Sequence, residues 1–314
     1  MKQLWMWFVL IGITMTVEFL APQSALSIEE TKPASTPTLA NEGDREKEAE
    51  ELKRLQEFFL RSQSVFIRRG EVIVEFNNFY STDRRQDFVL IGPGQLALAD
   101  VSRRVFESSA LARVGIASGL ELDVRMPYLV HTDQTINIGG GGFTRSSTGV
   151  GDASVALRYQ MWYEKGLRPS IIIDVNGKSR TAHSVLLGTG NYSVGGGVTL
   201  LKSIDPVYFF ARIGYSDSLA APGRNLGNSY EYSMGMGFSL NDRVAFNMQY
   251  VGAQIGQVKI DNIKIDNSSL EIGGLNFSAT ILITKRLFIE PVVGLGLTRD
   301  AFDSVVGLRI PYRF

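Results

Sequence analysis

From about residue 71 to the C terminus, apolar and polar residues alternate with a period of two, the spacing at which successive side chains of an extended strand face opposite ways. The last segment is the plainest. Val306, Leu308, Ile310, Tyr312 and Phe314 alternate with Gly307, Arg309, Pro311 and Arg313. Upstream, Leu287, Ile289, Val293, Leu295 and Leu297 oppose Glu290, Gly294, Gly296 and Thr298, and Leu275, Phe277, Ala279, Ile281 and Ile283 oppose Asn276, Ser278, Thr280 and Thr284. Tyr230, Tyr232, Met234, Met236, Phe238 and Leu240 alternate with Glu231, Ser233, Gly235, Gly237 and Ser239. One face of each segment suits lipid and the other suits water.

The pattern predicts strands near 71–81, 100–116, 119–130, 150–163, 168–178, 190–204, 206–218, 228–240, 243–255, 269–284, 286–299 and 302–314. Most are long enough to cross a bilayer when tilted. The connections at Ala117-Ser118, 164–167, Asp205, Asn241-Asp242 and Lys285-Arg286 are tight, whereas 82–99, 131–149, 179–189, 219–227 and 256–268 are long and polar. Only 299–302 is short where a long loop is expected. Alternating short and long connections is the periplasmic and extracellular asymmetry of a transmembrane barrel with both termini inside, and a soluble sandwich has no reason to show it. The fold class is therefore all-β: a 12-stranded antiparallel transmembrane β-barrel over 67–314, in the outer membrane of a Gram-negative bacterium.

The first 66 residues read differently. Residues 1–27 have a basic start at Lys2, an apolar run and the small-residue site Ala25-Leu26-Ser27, the pattern of a signal peptide cleaved before Ile28. Residues 28–43 include TKPASTPTL, a Pro, Thr and Ser rich flexible linker. Residues 44–66 begin DREKEAEELKRLQEFFLRSQ, strong helix formers with acids early and Lys53, Arg54 and Arg61 later, which predicts a short periplasmic α-helix. Its stripe of Leu52, Leu55, Phe59 and Phe66 covers about two heptads. Two roles fit it: packing on or inside the barrel mouth as a plug, or forming a short coiled-coil seam between protomers.

Composition agrees with a barrel and removes several alternatives. The chain has 32 Gly, a tenth of its residues are aromatic, and it has no Cys, so disulfide frameworks, Cys-ligated zinc and thiol nucleophiles are out. Net charge is zero; residues 1–51 hold four bases and nine acids. Nothing in that balance points to nucleic acid.

Placing the polar faces in the lumen puts Glu75, Glu121, Asp123, Arg125, Arg158, Asp174, Arg212, Glu231, Arg243, Glu290, Arg309 and Arg313 inside as pore-lining candidates. Buried charges need partners or water, so they form either an ion-pair network bracing the wall or a constriction that selects solutes. Inward Gly195, Gly197, Gly235, Gly237, Gly294 and Gly296 imply free volume on one side. Twelve strands fall between barrels filled by their own side chains and the wider open porins, which predicts a narrow or gated conduit. Tyr312 and Phe314 at the chain end form the aromatic signal that outer-membrane proteins present to the barrel-assembly machinery. An outer-membrane lipase would need a Ser, His and Asn arrangement, but His131 and His183 fall at strand ends or in loops, away from a Ser-Asn-Gly pattern. Two such histidines make no zinc site, the glycine runs lack the ending of a phosphate loop, and no cofactor or catalytic chemistry is implied.

Gly151 to Tyr159 (GDASVALRY), Arg168-Pro169-Ser170 and Leu187 to Gly195 (LGTGNYSVG) resemble the outer-membrane transporters named after the meta-pathway of phenol degradation. The likeness extends through Pro206 to Tyr215 and, upstream, through Ile67 to Gly70, Glu75 and Leu120 to Tyr128. That family is similar in turn to the twelve-stranded secretion pore of functional-amyloid systems, whose periplasmic helical segment helps the barrel trimerise and can plug it. The resemblance implies a channel for a small, hydrophobic or aromatic solute or for a secreted unfolded polypeptide, in a lipid-embedded homotrimer or monomer. A structural, non-conducting barrel is the alternative.

Overall fold

The computed structural model describes residues 66–314 apart from 93–94, 139–140, 185, 205, 220–223, 226, 242, 261–262 and 267. In chain order the strands are β1 (Val72–Gly92), β2 (Gln95–Ala117), β3 (Leu120–Ile138), β4 (Gly141–Gly149), β5 (Ser154–Trp162), β6 (Ser170–Lys178), β7 (Ser193–Ile204) and β8 (Val207–Ser218). They continue as β9 (Arg224–Asn225), β10 (Ser229–Asn241), β11 (Val244–Ile255), β12 (Lys259–Ile260), β13 (Ile263–Lys264), β14 (Leu270–Thr284), β15 (Leu287–Gly296) and β16 (Ser304–Arg313).

Among the described residues twelve strands are staves of one antiparallel barrel. They run β1, β2, β3, β5, β6, β7, β8, β10, β11, β14, β15 and β16, and β16 closes on β1 from Ile73↔Arg313 to Thr82↔Ser304. Closure leaves the staves no free edge, as a strand protein must in lipid, where no water bonds an orphaned amide. The shortest staves, β5 and β6, have nine residues each, just enough to span. No described helix is long and apolar enough to cross a membrane. The predicted signal peptide, linker and nearly all of the predicted helix lie outside the described residues.

The outer surface bears Phe76, Val124, Leu157, Val175, Val198, Ile213, Met234, Phe246 and Val306 at least a third exposed, with Tyr128, Tyr159, Trp162, Tyr163, Tyr215 and Tyr230 among them. An apolar surface on this scale is a liability in water and a requirement in a bilayer.

Two stretches expected as loops are strand. The β1–β2 ladder continues beyond the last β16 pair to Gly92↔Gln95, so 82–99 is a hairpin extension of the wall. Likewise 131–149 is the outer part of β3 folded back on β4, paired from Val130↔Gly149 to Ile138↔Gly141. The two extensions pack on each other, with Ala99, Val101 and Ile136 buried together, while the β4 arm is largely exposed, so apolar residues there do not mark every second position as they do on a membrane stave. The stretches 219–227 and 256–268 supply β9, β12 and β13, a separate three-stranded patch. Among the described residues, 179–189 contain no strand.

The switch of partner along β3 breaks the wall locally. Below it, β3 pairs with β5 from Leu120↔Tyr159 to Arg125↔Ser154; above it, with β4 from Val130 onward. Between them Gly151 N–H donates to the Pro127 carbonyl at 2.9 Å. Pro127 has no N–H to return.

Candidate functional site

The lumen is polar, and its charges stand in levels. At the periplasmic end Glu121 is fully buried. It accepts from Arg113 Nε at 2.9 Å, from Arg158, and from the backbone N–H of Ile67 at 3.1 Å. Asp123 adds a second acid, 3.0 Å from Arg158 and 3.8 Å from Arg113. Ile67 reaches this floor because the chain turns at 68–71, with Gly70 at φ 83°, and lies against the inner wall at Gly115. A Cβ on Gly115 would stand 2.1 Å from the Arg68 carbonyl oxygen, so only glycine admits this crossing.

Above the floor is a cavity of about 240 Å³ walled by Glu75, Asn77, Phe79, Asp123, Glu290 and Arg309, among others. Glu290, almost fully buried, accepts from Arg309 at 3.1 Å, and the Arg309 guanidinium lies 5.9 Å over the Phe79 ring. Next comes Arg125, which donates to Glu107 and lines both this cavity and a second one of about 450 Å³ toward the extracellular side. The Arg125–Glu107 pair is thus a partition between two chambers in series.

The upper chamber is roofed by the segment 179–190. Asp152 holds that segment by accepting from Ala182 N–H at 3.1 Å, Thr189 N–H at 2.7 Å and the Thr189 hydroxyl at 3.1 Å. Lys178 Nζ donates to the Thr189 hydroxyl at 2.7 Å. On the neighbouring stave β3, Thr132 donates to the Leu186 carbonyl at 3.1 Å, and Leu187 packs on Val105 and Val130. The motifs GD at 151–152 and LGTG at 187–190, legible only as a resemblance in sequence, are the two halves of this clamp.

The other candidates fall as follows. Arg212 donates to Asp174 at 3.2 and 2.7 Å and to Glu231 at 3.3 Å. It lies flat over Gly197 and Gly214, where a Cβ would come within 2.6 and 2.8 Å of its guanidinium. Arg313 donates to Glu71 at 2.6 Å at the periplasmic rim. Arg243 differs from its assignment: it is exposed in the turn between β10 and β11, where its N–H is held by the Asn241 side chain at 2.8 Å, because the tight turn takes it off the stave. The inward glycines also differ, since Arg212 covers Gly197, Phe210 covers Gly235 and Tyr208 covers Gly237. These three are beds for large side chains lying across the wall, while Gly296 stands against the Phe302 backbone.

Sequence reasoning passed over Arg113 and Glu107, the partners of Glu121 and Arg125. A signal existed: in β2 the charges at 103, 107 and 113 share one parity while Ala110, Ala112, Val114 and Ile116 share the other. His131 bonds Thr148 Oγ1 at 2.6 Å and Asp133 at 3.2 Å across the outer β3–β4 hairpin, and His183 is exposed in the roof.

No protein-family model matches the sequence. Among solved structures, the chain is similar to an outer membrane channel from Pseudomonas putida F1 with a TM-score of 0.60 and 14% identity, covering 79% of this chain and 97% of that one. Other matches are the translocator domain of the autotransporter NalP from Neisseria meningitidis (TM-score 0.46, 7% identity, 87% of this chain and 97% of that one) and the CymD monoaromatic hydrocarbon channel (TM-score 0.42, 11% identity, 79% and 88%). Architecture and outer surface together define the class, a closed twelve-stranded antiparallel barrel of the bacterial outer-membrane type.

Proposed function

We propose that this protein is a narrow, gated outer-membrane channel for a small solute. The observation that carries the reading is the pair of chambers in series along the lumen, about 450 and about 240 Å³, divided by one side-chain pair, Arg125–Glu107. A barrel whose only task is structural has no use for aligned cavities, whereas a conduit needs them, with side-chain contacts that part. Chambers of this size suit a small molecule better than an unfolded polypeptide. In this reading residues 1–27 direct export, Tyr312 and Phe314 engage the assembly machinery, and the lumen performs no chemistry. The 44–66 helix then plugs the barrel or joins three copies of it.

The full-length protein reconstituted in planar bilayers should conduct in small steps, and Arg125→Ala, which merges the chambers, should raise the unit conductance. Absence of current from both proteins would establish the alternative, a structural barrel, for which the Glu121 floor speaks. Phospholipid hydrolysis lost with His131→Ala would establish a lipase.

A further inference from the structure

We infer that the extracellular chamber is a binding site for a neutral aliphatic molecule carrying a hydroxyl or carbonyl group, because it combines an arc of inward hydroxyls with aliphatic flanks, and every charged group beside them is already engaged. The inference rests on the channel reading and specifies its solute.

One side of the chamber is formed by adjoining staves from β5 to β10, which turn Ser154, Ser193, Ser216, Ser218 and Ser229 inward. Among the described residues none of these five hydroxyls makes a side-chain hydrogen bond within the protein, although every charged group beside them is engaged. An inward hydroxyl is satisfied by water or by a ligand that replaces it. The flanks of this arc are Pro127, Val130 and Leu187, from β3 and the roof segment beside β5, and Ile255, Val258 and Leu270, from β11 beside β10, the connection after it and β14. All six are aliphatic, and no aromatic ring lines the chamber, so nothing there stacks against a planar solute.

The charged groups at the chamber are already engaged with one another, Arg212 serving both Asp174 and Glu231. Lys178 is held by Thr189 at 2.7 Å with Asp152 at 4.0 Å, Arg125 is bound to Glu107, and Glu231 lies 3.3 Å from Arg212. An anion or cation entering would have to break such a pair and leave a partner uncompensated, which the neutral molecule avoids. At about 450 Å³ the chamber is within the range of small-molecule sites. An alkyl chain lies against Leu187 and Ile255 while its polar end meets the serines.

The test uses the full-length protein in lipid, with 1-hexanol as the probe and toluene, hexanoate, hexylammonium and glucose as comparators. Saturation-transfer NMR on nanodiscs, with protein-free nanodiscs as the blank, should detect hexanol. The signal should fall several-fold in Ser216→Val/Ser229→Val and, as a milder second variant, in Ser193→Ala, while heat-modifiable gel mobility stays that of the folded barrel. In bilayers hexanol should block the current, and the comparators should do so weakly. A conducting channel that toluene, a charged comparator or glucose blocks as well as hexanol, or hexanol binding indifferent to the serine variants, overturns the assignment and leaves the channel standing. Serine-dependent binding of hexanol in a barrel that carries no current overturns the channel and leaves the site standing.

Discussion

Glu121 shows what a single side chain does in this lumen. It is buried, bound by two arginines and one backbone N–H, and it sits where the chain from Ile67 crosses the wall. Removing one member of such a cluster leaves buried charge under-compensated, with Asp123 alone between Arg113 and Arg158, which costs about 3–5 kcal/mol. Glu121→Ala should lower barrel stability by that order, read as the shift of the urea midpoint in lipid vesicles, and Glu121→Gln should lose less because the amide oxygen still accepts. An unchanged midpoint would mean that Ile67, and not the ion pairs, closes the floor. Much at this scale was legible: parity alone turned Glu121, Asp123, Arg125, Arg158 and Arg309 inward, since lipid leaves a charge no other face. Arg113 and Glu107 escaped because β2 sets apolar Val105 and Leu111 on the same face as its charges, blurring the contrast that marks a lumen side. Arg243 was misplaced because alternation says nothing about where a tight turn releases the chain.

Among the elements, the roof segment 179–190 has no ladder of its own and depends on Asp152. Asp152→Ala withdraws the acceptor for two backbone N–H groups and a hydroxyl, and each buried donor left unmatched costs about 1–3 kcal/mol. Faster hydrogen exchange at the Ala182 and Thr189 amides is expected, by tenfold or more, with exchange along β1 and β16 unaltered. Protection retained in the variant would assign the roof to its Leu187 contacts instead. Sequence located every membrane stave because the bilayer imposes the same dyad on each of them. It stopped beyond Thr82 and Val130: there the strands pack only a small apolar cluster of Ala99, Val101 and Ile136 among many polar residues, and hydropathy no longer distinguishes strand from loop. A bulge in β3, where the register jumps between Ser108↔Leu129 and Ser109↔Pro127, also exchanges the inward and outward faces, so the alternation below it cannot be extrapolated upward.

For the whole molecule, the closing seam joins the first stave to the last, so the barrel is complete only when the C terminus has arrived. Phe314 N–H donates to the Val72 carbonyl at 3.0 Å, while its ring stays largely exposed, in edge contact with Tyr312 at 4.8 Å between centroids. An exposed ring adds little to the stability of the finished barrel but is available to a receptor during insertion. Phe314→Ala should therefore slow the appearance of the heat-modifiable folded form in cells and leave the unfolding midpoint of assembled protein nearly unchanged. A lowered midpoint with normal assembly kinetics would instead make the residue a structural clasp.

The change of partner along β3 has a mechanical side. A closed wall carries tension around its circumference, shared between staves over runs of hydrogen bonds. The shortest run among the described residues is the β3–β5 seam, six residue pairs from Leu120↔Tyr159 to Arg125↔Ser154, followed by the lone Gly151 to Pro127 bond before β3 changes partner. Under lateral stress from the membrane, the hoop should yield first at that seam, beside the upper chamber.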